Sequence, residues 1–216
     1  MDIHNLEQPY LIGEIGINHN GDINIAKKLI DAVNACSWDC AKFQKRNPDI
    51  CVPEHQKNKI RETPWGNIRY IDYKYKIEFG KSINWAASVW DIDSLEFIMN
   101  YDTPFIKIPS AMMTNSSLLK ECARTQKTII MSTGMSEMSE VDEAVDLVLK
   151  YNDRLVLMHT NSSYPTPVDE INLRLIPFLK ERYGCVVGYS GHEEDLEPTV
   201  VAVALGAQVV ERHKRC

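Results

Sequence analysis

The sequence predicts an α/β fold, a (β/α)8 TIM barrel with its eighth helix missing, and three observations carry that reading. Eight short apolar runs, most of them β-branched, alternate with seven segments of helical spacing, and such alternation implies parallel strands joined by right-handed crossovers. Polar and charged residues collect where those runs end, which is where barrel active sites sit. No G-x-G-x-x-G or G-x-x-x-x-G-K-[ST] follows the first run, so the rival doubly wound sheet lacks its phosphate-binding fingerprint.

Tyr10–Gly16 reads as strand one, and Asn18-His19-Asn20-Gly21 as a tight turn of residues that tolerate positive φ. Asp22 caps a helix in which Ile25, Leu29, Val33 and Cys36 form one apolar stripe. Cys40–Gln44 is strand two, and the polar stretch from Lys45 to Gly66, with three prolines, reads as a long functional loop. Asn67–Phe79 can be helical and must supply the whole crossover to strand three, Ile83–Ser88. Ile92–Asn100 is a short helix, Phe105–Ser110 strand four, and Asn115–Thr125 the helix after it. Thr128–Thr133 is strand five, with Gly134 turning the chain. Ser139-x-x-Asp142 reads as a capping box for a helix that buries Val141, Val145, Val148 and Leu149. Leu155–Thr160 is strand six. Asp169–Arg182 is apolar at helical spacing, with Pro177 either kinking the helix or displacing its start. Cys185–Gly188 is strand seven, Leu196–Leu205 a helix, and Gln208–His213 strand eight. One barrel domain over residues 1–216, truncated after strand eight, is the expected organisation.

Composition bounds the function. At 216 residues, 44% hydrophobic and 25% charged, the chain can bury a full core. A net charge of -6 argues against a general nucleic-acid binder, which needs a basic surface. The first residues show neither a basic nor an apolar leader region, and the uncharged stretch from Pro198 to Val210 is too short to span a bilayer. A cytoplasmic protein without membrane partners is expected. The six cysteines lack C-x-x-C spacing and read as reduced core thiols.

At or just beyond the strand ends stand Glu14, Lys42, Gln44, Ser88, Lys107, Ser110, Thr133, Ser162, His192 and His213. An unpaired ammonium is costly to bury, so two lysines converging on hydroxyls and on turn amides near Gly134 describe an anion site. His192 and His213 each follow a short apolar run and can share a metal. Together with Glu14 these groups suit a lyase or synthase acting on a phosphorylated keto-acid or enol. A Schiff-base aldolase with one lysine nucleophile is the alternative from the same ingredients.

Several ordered motifs carry a resemblance. Gly13-Glu14-Ile15-Gly16-x-Asn18-His19-Asn20-Gly21, Lys42-Phe43-Gln44, Thr63-Pro64-Trp65-Gly66, Ser132-Thr133-Gly134-Met135, Tyr164-Pro165, Gly188-Tyr189-Ser190-Gly191-His192 and Glu211-Arg212-His213 resemble the N-acetylneuraminate (sialic acid) synthase family. The resemblance implies a metal-dependent condensation, with Mn2+ or another divalent cation such as Mg2+, of phosphoenolpyruvate with the open-chain aldehyde of N-acetylmannosamine or a related acylamino sugar. The products would be a nine-carbon 3-deoxy-ulosonic acid and phosphate. It implies that His192 and His213 hold the metal, and that Lys42, Lys107, Ser110, Thr133 and Gly134, with Ser88, Ser162 and Ser190, hold phosphoenolpyruvate. Glu14 and Gln44 match positions near the sugar, Tyr164 matches a substrate-binding position, and Glu14, Lys42 and His192 are the catalytic candidates. A homodimer is implied by the relatives. The chain departs from the family pattern at Met112, where many members place an acid, and in lacking the C-terminal antifreeze-like domain. Those departures favour the rival expectation, a non-catalytic remnant that keeps the barrel and its ligands.

Overall fold

A computed structural model describes residues 2, 5–20, 22–52, 54–63, 66–69 and 84–213. Eight parallel strands close on themselves in the order β1-β10-β9-β8-β7-β6-β5-β2. They are β1 (Tyr10–Gly16), β2 (Cys40–Lys45), β5 (Trp85–Val89), β6 (Ile106–Ile108), β7 (Ile129–Ser132), β8 (Leu155–Thr160), β9 (Val186–Gly191) and β10 (Val209–His213). Helices Ile23–Ala35, Ile92–Met99, Ser116–Arg124, Met138–Leu149, Leu175–Tyr183 and Glu197–Ala204 occupy the crossovers. The predicted α/β barrel is the observed one.

Barrel strands are buried on both faces, and the two-residue period of a strand assigns each residue to one of them. Ile15, Phe43, Ala87, Ile106, Ile108, Ile129, Met131 and Leu157 face outward and pack under the helices in the larger apolar cluster. Ile12, Cys40, Ala86, Phe105, Ile130, Val156, Met158 and Val209 fill the barrel floor. Two residues further along most of these strands the same inward face turns polar, at Glu14, Lys42, Ser88, Lys107, Ser132 and Glu211, all buried. The strands thus deliver an apolar plug and, one layer above it, a ring of charge and hydroxyl.

Local signals explain the helix starts. Asp22 accepts from the backbone N–H groups of Asn24 at 2.7 Å and Ile25 at 3.3 Å, Asp91 from Ser94 at 2.7 Å and Asn115 from Leu118 at 3.1 Å. Each satisfies donors that the first turn leaves free. Pro177 sits in the first turn of Leu175–Tyr183, where its missing N–H costs nothing, so the proline displaces the helix start.

Several boundaries differ from the sequence expectation. The capping box uses Glu137 and Glu140, whose carboxylate accepts from the Glu137 N–H at 2.8 Å, because the helix begins at Met138, ahead of Ser139. That register buries Ala144 and leaves Leu149 exposed. Cys36 caps its helix from an exposed position, while Cys40 and Cys122 are buried free thiols. The expected loop from Lys45 to Gly66 instead holds short helices at Pro48–Cys51 and Glu54–Lys57 and an antiparallel hairpin of β3 (Ile60–Thr63) with β4 (Gly66–Arg69). β4 therefore replaces the first residues of the helix expected from Asn67. The rest of that stretch lies outside the described residues, as do Gly21, Pro64 and Trp65. Strand seven runs on through Ser190 to Gly191, since Gly188, where a Cβ would strike the Val209 carbonyl and stand 2.5 Å from Met158 Sδ, lets the strand pass without a break. Among the described residues no helix is long and apolar enough to cross a membrane.

Candidate active site

Above the barrel floor two lysines and two carboxylates share one buried throat. Lys42 Nζ contacts Glu14, donates to Ser88 Oγ at 2.9 Å, and lies 3.6 Å from Glu211 Oε2. Lys107 Nζ donates to Ser132 Oγ at 2.8 Å and to Glu211 Oε1 at 3.2 Å, and Ser190 Oγ donates to the same Oε1 at 3.0 Å. Two ammonium groups facing two carboxyl groups offset part of the cost of burying them.

Burial pushes the Glu14 carboxyl up to about 7, against the opposing pull of Lys42. Glu211 is equally buried, yet Lys107 and Lys42 outweigh desolvation and hold it below the usual carboxylate range. Desolvation lowers Lys107, whereas the carboxylates Glu14 and Glu211 overcome it at Lys42 and raise that ammonium. One carboxyl thus stands ready to carry a proton near neutrality, and the other stays ionised between two cations.

A second group lies over the ends of β7 and β8. The Gly134 N–H donates to Ser110 Oγ at 3.1 Å. A Cβ on Gly134 would run into Ser162 Oγ and stand 2.9 Å from Ser110 Oγ, so this glycine lets hydroxyls from two other loops close over one backbone amide. The Thr133 hydroxyl donates to the Met158 carbonyl at 3.1 Å, and that of Thr160 to the Ser190 carbonyl at 2.6 Å. Thr133 therefore presents its position more than a free hydroxyl.

The third group is the histidine pair. His192 follows β9 and His213 ends β10, with ring centroids 5.2 Å apart, and the half-exposed Tyr164 ring packs on both at 5.5 and 5.0 Å. His192 Nδ1 donates to the Asn161 carbonyl at 2.7 Å, leaving Nε2 as the ligating nitrogen. Burial lowers the His192 pKa and favours the neutral form that a cation needs. Two imidazoles so placed could serve as two of the ligands of a divalent cation. Among the described residues no cluster of three or more His, Cys, Asp or Glu is assembled around a metal position. Glu211 and His213 share one face of β10, and Glu14 pairs with His213 across β1 and β10, so throat and histidines belong to one site.

The structure brings together Glu14, Lys42, Ser88, Lys107 and Ser190 in the throat, Ser110, Gly134 and Ser162 beside Thr133, and Tyr164 with both histidines. Gln44 lies two residues beyond Lys42 on the same face of β2, its side-chain oxygen bonded by Arg46, which stacks over Trp90 at 4.6 Å, and its amide nitrogen on the Glu14 side, 3.7 Å from where a Cβ on Gly16 would stand. Sequence reasoning missed Glu211 and Ser132. The signal for Glu211 was present: it lies two residues from both Val209 and His213 on one strand face, so a strand that aims His213 inward aims Glu211 inward too.

Comparison with known proteins supplies the biochemical setting. Residues 29–215 match the NeuB family model. The chain is 32% identical to the N,N'-diacetyllegionaminic acid synthase of Campylobacter jejuni, covering 96% of this chain and 68% of that protein. It is 35% identical to the N-acetylneuraminate-9-phosphate synthase of Drosophila melanogaster, covering 96% and 60%. Among solved structures, the N-acetylneuraminic acid synthetase of Leptospira borgpetersenii in complex with citrate superposes with a TM-score of 0.86 at 28% identity, over 97% of this chain and 74% of that one. The chain thus spans about 60 to 68% of the length of these two curated relatives.

Proposed function

The chain belongs to the NeuB family, and on that premise we propose that it condenses phosphoenolpyruvate with the aldehyde form of N-acetylmannosamine or a related acylamino sugar, yielding a nine-carbon 3-deoxy-ulosonic acid and inorganic phosphate. The observation that carries this reading is the buried throat in which Lys42 and Lys107 stand side by side, each already matched by a carboxylate. A small polyanion entering there exchanges internal ion pairs for its own and finds its donors already in place. The Gly134 N–H with the Ser110 and Ser162 hydroxyls adds neutral donors at one end of the same anion.

In the balanced reaction a C–C bond forms between the enol carbon and the aldehyde carbon. The aldehyde oxygen takes a proton, water adds to the former enol carbon, and phosphate leaves. Lys42 and Lys107 hold the phosphate and carboxylate charge while this happens. An anion that draws Lys42 away leaves the Glu14 carboxyl able to carry a proton near neutral pH, the group best placed to protonate the aldehyde oxygen. Tyr164, packed edge-on against both histidines, covers part of that end. His192 and His213 would hold Mn2+ or another divalent cation, which supplies Lewis-acid polarisation of the aldehyde.

A second reading has one observation in its favour. Met112, where the family resemblance leads one to expect an acid, packs against the outer apolar cluster, and a binding protein without turnover is the rival. Incubating the purified chain with uniformly 13C-labelled phosphoenolpyruvate, N-acetylmannosamine and Mn2+ separates the two. Mass spectrometry should find the sugar enlarged by three labelled carbons. Unchanged sugar in the presence of demonstrable phosphoenolpyruvate binding would leave the rival standing.

A further inference from the structure

A second buried ion pair lies behind the histidines, on the outer face of the barrel. Arg212 sits on β10 between the inward-facing Glu211 and His213, so its side chain points out under the helices. Its guanidinium grips the segment that follows β9 at four places. Nη1 contacts the Glu193 carboxylate and donates to Thr199 Oγ1 at 3.2 Å. Nη2 donates to the carbonyls of Glu193 at 2.7 Å and Asp195 at 3.1 Å. The other oxygen of Glu193 accepts from the Tyr189 hydroxyl at 2.9 Å. Gly191 makes the arrangement possible, because a Cβ there would lie 2.5 Å from Nη1 and 2.7 Å from the Glu193 carboxylate.

Each end of this clamp is one residue from a histidine: Glu193 follows His192, and Arg212 precedes His213. A buried ion pair is weak evidence for stability, since apolar replacements of similar volume are often neutral or stabilising. What the pair does provide is geometry. A guanidinium that bonds the carbonyls of Glu193 and Asp195 fixes the path of the turn between them, and the short, narrowly ranged bonds that imidazoles make to a divalent cation leave little room for drift. The contact is outside the site, so it can set spacing without entering the chemistry.

We propose that Arg212 and Glu193 are positioning residues that fix His192 against His213 at the spacing a shared divalent cation requires. This rests on the metal reading given above. The histidine-bearing turn is joined to β10 through this clamp, whereas the two lysines themselves stand on β2 and β6, and none of the clamp's contacts involves them. Loosening the clamp therefore weakens cation binding and spares the anion.

The test uses the 216-residue chain and two direct binding measurements, Mn2+ by loss of the free-ion paramagnetic resonance signal and phosphoenolpyruvate by calorimetry without metal. R212K keeps a cation opposite Glu193 but cannot bridge both carbonyls. The double variant E193L/R212M removes the pair together, so no charge is left buried alone. Both variants are expected to bind Mn2+ about 10- to 100-fold more weakly, the range for groups that orient metal ligands, and to bind phosphoenolpyruvate within about twofold of the parent, because neither side chain contacts Lys42 or Lys107. Unchanged Mn2+ affinity in the folded variants overturns the inference. So does a parallel loss of both ligands, which would mark the pair as a general structural support. A parent chain that takes up no Mn2+ overturns the metal reading, and the inference with it.

Discussion

Lys107 shows how much of the site rests on single contacts. Its ammonium is buried, its pKa is lowered by desolvation, and Glu211 and Ser132 hold it in place. Replacing it with methionine removes a charged donor to an anionic ligand, a contact worth about 2 kcal/mol. Lys107→Met should then bind phosphoenolpyruvate roughly 30-fold more weakly by calorimetry, and an affinity equal to the parent's would exclude Lys107 from the anion site. His159 offers a prediction about stability. It faces outward from β8, is buried with no partner for Nε2, and burial lowers its pKa from 6.5 to about 4. A folded pKa below the unfolded one means this stability is fully present above pH 6.5 and is lost as pH falls from 6.5 towards 4. The loss should approach about 3 kcal/mol at the acid end. Urea melts at pH 7 and pH 4.5 should converge for His159→Asn relative to the parent, and parallel losses in the two proteins would contradict it. At this scale the lysines and histidines were legible because they end apolar runs. The partnership of Glu211 with both lysines was not, because it depends on which strands neighbour one another around the barrel.

The elements repeat that division. Helices with a polar cap, such as those led by Asp22, Asp91 and Asn115, begin where the sequence places them. The helix at Met138 has two candidate caps, Glu137 with Glu140 and Ser139 with Asp142, and local pattern alone does not choose between them. The segment from Lys45 to Gly66 hid a hairpin because β3 and β4 are four residues each, too short to establish a period. The turn after β7 carries the sharpest prediction at this scale. Gly134→Ala places a methyl among the Ser110, Ser162 and Thr160 side chains. Overpacking of that kind costs about 1 to 3 kcal/mol, and it falls where the proposed anion docks. Phosphoenolpyruvate affinity should drop roughly tenfold and the melting temperature should fall by roughly 2 to 12 °C; a variant that melts early yet binds normally would place the anion elsewhere.

For the whole molecule, closure of the barrel is what turns a list of polar residues into a site. β1 lies between β10 and β2, so Glu14 from the start of the chain meets Lys42 on one side and the strand bearing Glu211 and His213 on the other. The alternation of runs made that closure legible, and the ordered motifs pointed to the same family that the matches to known proteins establish. Which acylamino sugar fits was not legible, since the segments that close over the throat are not fixed by strand register. The most direct measurement is inorganic phosphate release by the purified chain with phosphoenolpyruvate, N-acetylmannosamine and Mn2+, each omitted in turn. The account predicts phosphate only when all three are present, and none from Lys107→Met. Phosphate release indifferent to the sugar, or no release at concentrations that saturate phosphoenolpyruvate binding, would contradict it.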